Sequence, residues 1–124
     1  MALWGWVAVG GIVGACLRVG LAQAAAKWWP GSFPVATFFV NVVGSFLIGL
    51  LYAVGLERGG LSPTAYTALV GGFLGSFTTF SSFSLEILRL LESGQTALAL
   101  GYAVGSVVAG VAAVWLGLLL GRAG

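Results

Sequence analysis

The stretch GGFLGSFTTFSSFS, from Gly71 to Ser84, constrains this chain more than any other. It lies inside a segment apolar enough to cross a membrane. Yet it carries three glycines, five hydroxyl side chains between Ser76 and Ser82, and phenylalanines at every third position from Phe77 to Phe83. A regular lipid-facing helix has no use for that mixture. Hydroxyls and freed backbone groups at membrane depth are tolerated only where protein buries them or a polar cavity takes them. The pattern predicts a helix that breaks near its middle and handles something small and polar within the bilayer.

Composition supports the membrane setting. Of the 124 residues, 60% are hydrophobic and only 6% are charged, against about 25% charged residues in soluble domains. The chain has no His and no Asp, so the usual acid–base and metal centres of enzymes cannot be assembled, and no enzyme is expected. Its single cysteine, Cys16, excludes an internal disulfide or a CxxC site and reads as a small packing residue. The start, MALWGWVAV, has no basic side chain ahead of its apolar run and reads as a first spanning helix, not a cleaved leader. The net charge of +2 is spread along the chain and gives no nucleic-acid footprint.

A spanning helix needs about 20 predominantly apolar residues. Four fit, over residues 3–26, 34–56, 64–91 and 96–120. They are separated by Trp28-Trp29-Pro30-Gly31, by Glu57-Arg58-Gly59-Gly60 ahead of Pro63, and by Glu92-Ser93-Gly94. Paired tryptophans beside Lys27 read as an interfacial anchor. The expected fold is an all-α membrane protein of four transmembrane helices with the third broken, a single module over residues 1–124. Four spans put both termini on one side with Arg58 and Arg122, and put Lys27 and Arg89 on the other. Positive charge steers orientation. Two against two, with Arg18 treated as embedded, predicts a weak preference that extends to insertion both ways; a single orientation set by another factor is the alternative.

The polar groups fall into few clusters. Thr37, Asn41 and Ser45 recur at i, i+4 and i+8, on one face of helix 2. They serve either as interhelical hydrogen-bond glue, worth ~0.6–2 kcal/mol, or as a polar track opposite helix 3. In helix 3, Gly71, Gly72 and Gly75 weaken the helix ahead of the β-branched Thr78 and Thr79. A break between Gly75 and Thr79 exposes main-chain carbonyls suited to a hard cation such as Na⁺. The phenylalanine stripe is either plain packing or a wall of electropositive ring edges that touches a small anion without trapping it. Thr79, Ser81 or Ser82 can then donate the remaining hydrogen bonds. Arg18 either snorkels from helix 1 or stands at a vestibule and attracts anions. Glu86 pairs with Arg18 or Arg89, or lines a water-filled mouth. In helix 4, Tyr102 and Ser106 are i, i+4 neighbours that can complete a polar lining, and Gly101 with Gly105 suggests close helix packing.

Three of these segments carry a family resemblance. GGIVGACLR from Gly10 to Arg18, NVVGSFLIG from Asn41 to Gly49, and GGFLGSFTTFSSFS resemble the Fluc (CrcB) fluoride channel family, in matching order over three of the four helices. Two positions depart from the family pattern: Val19 replaces the aromatic that often follows the arginine, and Ser82 stands where threonine is more usual. Both lie outside the aromatic positions of the central motif. The resemblance implies an antiparallel, dual-topology homodimer in the cell's inner (plasma) membrane. It implies two fluoride pores, and one structural Na⁺ at the dimer centre held by the main-chain carbonyls of Gly75 and Thr78. It further implies that Phe80 and Phe83 contact fluoride through ring edges and that Asn41 is the polar pore residue. Thr79, Ser81, Tyr102 and Ser106 are further candidates for the track, with Arg18 and Glu86 at the vestibule. The implied job is passive export of cytoplasmic fluoride, hence fluoride resistance.

Two other functions compete on sequence grounds. A small four-helix multidrug exporter exchanges protons for cationic drug through an intramembrane carboxylate, typically in helix 1. Helix 1 here has none, and only Glu86, late in helix 3, could serve. A structural or assembly subunit would use the same polar stripes only to bind partner helices.

Overall fold

The computed structural model describes residues 2–124; Met1 of the expected module lies outside the described residues. Four long helices make up the fold: α1 (Ala2–Trp28), α2 (Val35–Glu57), α3 (Pro63–Glu92) and α4 (Thr96–Ala123). All four are long and apolar enough to cross a membrane, and there is no strand among the described residues. Their ends lie within three residues of the expected spans, the ordinary scatter of frayed termini. This is a multi-pass membrane protein.

Local chemistry sets the punctuation. Pro30 has no N–H and disfavours helical backbone at the residue before it, so α1 stops at Trp28. Gly59 and Gly94 have φ of 66° and 82° and close α2 and α3 in the left-handed conformation that side chains resist. Helix α3 begins with Pro63 at its first position, while the Ser62 hydroxyl accepts a hydrogen bond from the Ala65 amide at 3.1 Å. Two segments widen to π-helical turns, Tyr52–Glu57 at the end of α2 and Ala68–Leu74 within α3. The second holds Gly71 and Gly72.

Small residues bring the helices together in two pairs. Helix α1 lies on the first half of α3, where a Cβ at Gly14 would collide with the Phe73 carbonyl and the Ser76 hydroxyl. Helix α2 lies on α4, where a Cβ at Gly49 would strike the Val114 carbonyl and one at Gly117 the Phe46 carbonyl. Lipid supplies little hydrophobic drive between helices, so such backbone approach is how they associate. Within the chain no close approach forms at Gly101 and Gly105. Both face open space within the chain, and the α4 contact forms at Gly117 and Gly121, on the side turned to α2.

Two apolar clusters flank the middle of the molecule. Val40, Leu74 and Phe77 are buried together with Phe73 and Leu21 packed around them. Leu90, Ala99 and Tyr102 form the second, joined by Phe33, Phe38 and Phe83. Outward faces are apolar too, with Trp4, Ile12, Val104, Val108 and Trp115 exposed, as a bilayer solvent requires.

Candidate functional site

The break in α3 falls at Thr78 and Thr79, between the helical segments Gly75–Phe77 and Phe80–Glu92. Both threonines are extended, with φ/ψ of −90°/162° and −153°/121°. Side chains hold them there. The Asn41 carboxamide pairs with Thr79 at both ends: Nδ2 donates to the Thr79 carbonyl at 3.1 Å, and Oδ1 accepts from the Thr79 amide at 2.8 Å. Asn41 thus replaces a strand partner for one residue. The Thr79 hydroxyl accepts from the Ser82 amide at 3.2 Å and caps the second half of α3. The Thr78 hydroxyl donates back to the Leu74 carbonyl at 2.9 Å.

These bonds free two carbonyls. The Gly75 carbonyl would ordinarily accept from the Thr79 amide, which Asn41 has taken. The Thr78 carbonyl would accept from the Ser82 amide, which the Thr79 hydroxyl has taken. Between them the Ser76 carbonyl accepts from Arg18 Nε at 2.9 Å. The structure therefore brings Arg18 to the break itself, a cation at the C-terminal end of a helical half, where the dipole favours it.

An open groove of about 410 Å³ runs past the break. It gathers Asn41, Thr79, Phe80, Phe83 and Ser106 of the expected pore residues, with Gly75 and Thr78 along the same wall. Phe80 is 78% exposed, whereas Phe83 is half-buried. Their centroids lie 6.0 Å apart with the planes at 46°. The Ser106 hydroxyl is buried without a hydrogen-bond partner among the described residues, so its donor stands free in the groove wall. Ser45, also in the wall, turns its hydroxyl to the Asn41 carbonyl at 2.7 Å. Ser81 is exposed and lies outside the groove.

Tyr102 and Glu86 sit one step further along. Tyr102 is buried and packs edge-to-face on Phe83 at 5.1 Å, while its hydroxyl donates to Glu86 Oε1 at 2.7 Å. The Thr37 hydroxyl donates to Glu86 Oε2 at 2.7 Å. Three helices are thus tied through one carboxylate, and Glu86 takes hydroxyl partners in place of Arg18 or Arg89. Thr37 and Glu86 also line a second cavity of about 280 Å³, bounded by Trp29, Ser32 and Phe33. Sequence reasoning placed Thr37 only on a polar stripe and missed Phe33. Nothing in the spacing of a residue between two spans marks it as a partner of Tyr102, 69 positions later. At the opposite end Arg122 and Glu57 form a bidentate pair at 2.8 Å, and Arg58 donates to the Gly121 carbonyl at 2.9 Å.

The chain matches known proteins along nearly its whole length. The family model described as CrcB-like protein, Camphor Resistance (CrcB), covers residues 5–118. A Stutzerimonas stutzeri protein named fluoride-specific ion channel FluC is 53% identical over 116 residues, 94% of each chain. A protein of the same name from Pseudomonas putida is 50% identical over 123 residues, 98% of each chain. Another from Azotobacter vinelandii is 48% identical over 114 residues, 92% of each chain. All three are named as ion channels, not enzymes. With the family model spanning all four helices and half of the residues shared with these relatives, the chain belongs to the CrcB-like protein family.

Proposed function

We propose that this protein is a fluoride-selective channel that lets fluoride leave the cytoplasm passively across the plasma membrane. The observation that carries the reading is the groove, lined beside a helix break by two phenylalanines and by Ser106, whose buried hydroxyl has no hydrogen-bond partner among the described residues. Ring edges are electropositive and a hydroxyl donates one hydrogen bond. Together they replace part of a small anion's hydration without a full positive charge that would hold it. Chloride is larger and gains less from narrowly spaced donors, so selectivity comes from fit and dehydration, with binding weak enough to permit exit. The relatives' shared name favours the same ion.

The mechanism needs no chemical coupling. Hydrogen fluoride crosses lipid as a neutral acid and dissociates in the more alkaline cytoplasm. The inside-negative potential then drives the anion outward with ~2.3 kcal/mol per 100 mV. The groove is open along one side and Phe80 projects from it, so a single subunit supplies only part of a pore wall. An antiparallel second copy completes the wall, and two-fold symmetry gives two such pores.

The same symmetry gives the freed carbonyls a role. Gly75 and Thr78 from two copies bring four hard oxygen donors together, the donor type that Na⁺ prefers. A Na⁺ held by these carbonyls would supply a fixed positive charge between the two breaks. Arg18 withdraws the intervening Ser76 carbonyl from that set, and Asn41 keeps Thr79 extended.

Efflux from liposomes tests the channel reading. Purified protein is expected to pass fluoride electrogenically, with chloride flux negligible. Proton-coupled cation exchange, or no flux of any ion, would return the field to the exporter or the structural subunit.

A further inference from the structure

We propose that α1 carries the thickness of the bilayer to the break in α3, so that fluoride flux depends on the lipid; the inference rests on the channel function proposed above. Four of the chain's five tryptophans stand at or beside the ends of this one helix. Trp4 and Trp6 are exposed at one end, Trp28 and Trp29 at the other. Tryptophan seats at the membrane–water boundary. Lys27 reinforces the second pair, with its Nζ 5.9 Å from the centroid of the Trp28 ring. At 1.5 Å per residue the stretch from Trp6 to Trp28 is about 33 Å long, close to the ~30 Å hydrocarbon core. Anchored at both boundaries, α1 changes its tilt when the core thins or thickens.

The rest of α1 is loosely embedded. Gly14 is its one buried residue among those described, and the helix leans chiefly on the first half of α3. There the fastening is close. A Cβ at Gly10 would sit 2.8 Å from the Ala68 carbonyl oxygen and 2.9 Å from the Phe73 nitrogen, across the widened turn, and one at Gly72 would sit 2.6 Å from the Val7 carbonyl oxygen. The Ser76 hydroxyl lies 2.9 Å from the Gly11 carbonyl, and Arg18 donates to the Ser76 carbonyl. Ser76, just ahead of the break, is thus tied to α1 by side chain and main chain. Thr79, just after it, is tied to α2 by Asn41. A change of angle between α1 and α2 therefore falls on the joint between these ties, where the helix is interrupted. That joint separates Gly75 and Thr78 from Phe80 and Phe83, all of which line the groove. Tilting α1 accordingly alters the groove's width.

General mismatch of the whole bundle is the competing cause of a lipid dependence, and the fifth tryptophan separates the two. Trp115 is exposed on α4 and has no tie to the break. The experiment is fluoride efflux from liposomes of monounsaturated phosphatidylcholines with cores about 25, 30 and 35 Å thick, each protein checked for intact assembly by size exclusion. Wild type is expected to conduct fastest at ~30 Å and at least about threefold more slowly on either side. The double variant Trp4→Leu, Trp6→Leu frees one end of α1, and Trp28→Leu frees the other; none of these residues lines either cavity. Both are expected to match wild type in the middle lipid and to lose most of the dependence on thickness. Trp115→Leu is expected to keep it in full. Equal wild-type flux in the three lipids overturns the proposal. So does a dependence that survives in an anchor variant, or one that vanishes in Trp115→Leu. If one anchor variant does not assemble, the other decides. A wild type that passes no fluoride in any lipid brings down the channel reading instead, so the two failures are distinct.

Discussion

At the scale of residues, Asn41 has the most to do. Its amide supplies both hydrogen bonds that hold Thr79 extended, and nothing else in the surroundings replaces them. Truncation to Ala leaves a backbone N–H and a C=O unpaired at membrane depth, at ~1–3 kcal/mol for each group. Asn41→Ala is therefore expected to lower the melting temperature in detergent and to remove fluoride flux. A variant that melts like wild type and conducts fully would show that the break holds without the amide. Sequence alone marked Asn41 as the strongest polar group of its helix and left open whether it binds a helix or an ion. Its partner, a backbone 38 residues away, has no side-chain signature. Arg18 was equally ambiguous, because an arginine's reach lets it snorkel or turn inward, and only the position of the Ser76 carbonyl decides.

At the scale of elements, the broken third helix was legible for a physical reason. Glycines, β-branched threonines and competing hydroxyls all weaken a helix over the same few residues, and the break falls at Thr78 and Thr79, inside the expected range. The widened turn at Ala68–Leu74 was not legible, since an i→i+5 bond leaves no distinctive residue pattern. Glycines show the same limit. Their number announces close packing, but which of them meets a backbone depends on helix rotation. Gly14 does, and Gly20 faces open space. Gly14→Ala is accordingly expected to destabilise the α1–α3 contact by ~1–3 kcal/mol, as overpacking does. Gly20→Ala is expected to be neutral or to stabilise by up to ~1 kcal/mol through helix propensity. Thermal unfolding in detergent of the two variants checks the contrast; equal effects would contradict the assigned faces.

At the scale of the whole molecule, charge and symmetry govern assembly. Arg58 and Arg122 meet at one end, through the Gly121 carbonyl and Glu57. The ends of α1 and α2 share a cavity with Glu86 at the other, on the side of Lys27 and Arg89. With Arg58 and Arg122 at one end and Lys27 and Arg89 at the other, the charge is balanced, as the proposed antiparallel pair requires. A reporter fused to the C-terminus is expected to appear on both membrane faces, and added lysines beside Arg122 are expected to force one face and abolish flux. One-sided labelling of the unaltered chain would contradict assembly of opposite orientations from a single product. The fold was readable at this scale because span length and apolarity are set by the bilayer; the tie of Thr37, Glu86 and Tyr102 was not, because it joins three helices through one carboxylate.

In the proposed mechanism the ring-lined groove beside the break is the fluoride path. Fluoride efflux from liposomes carrying Phe83→Ile, a change that removes a ring while keeping an apolar side chain, addresses it most directly. Undiminished assembly with flux lowered at least tenfold, a barrier change of ~1.4 kcal/mol, is the predicted result. Full fluoride flux through the assembled variant would contradict the account and return Phe83 to packing.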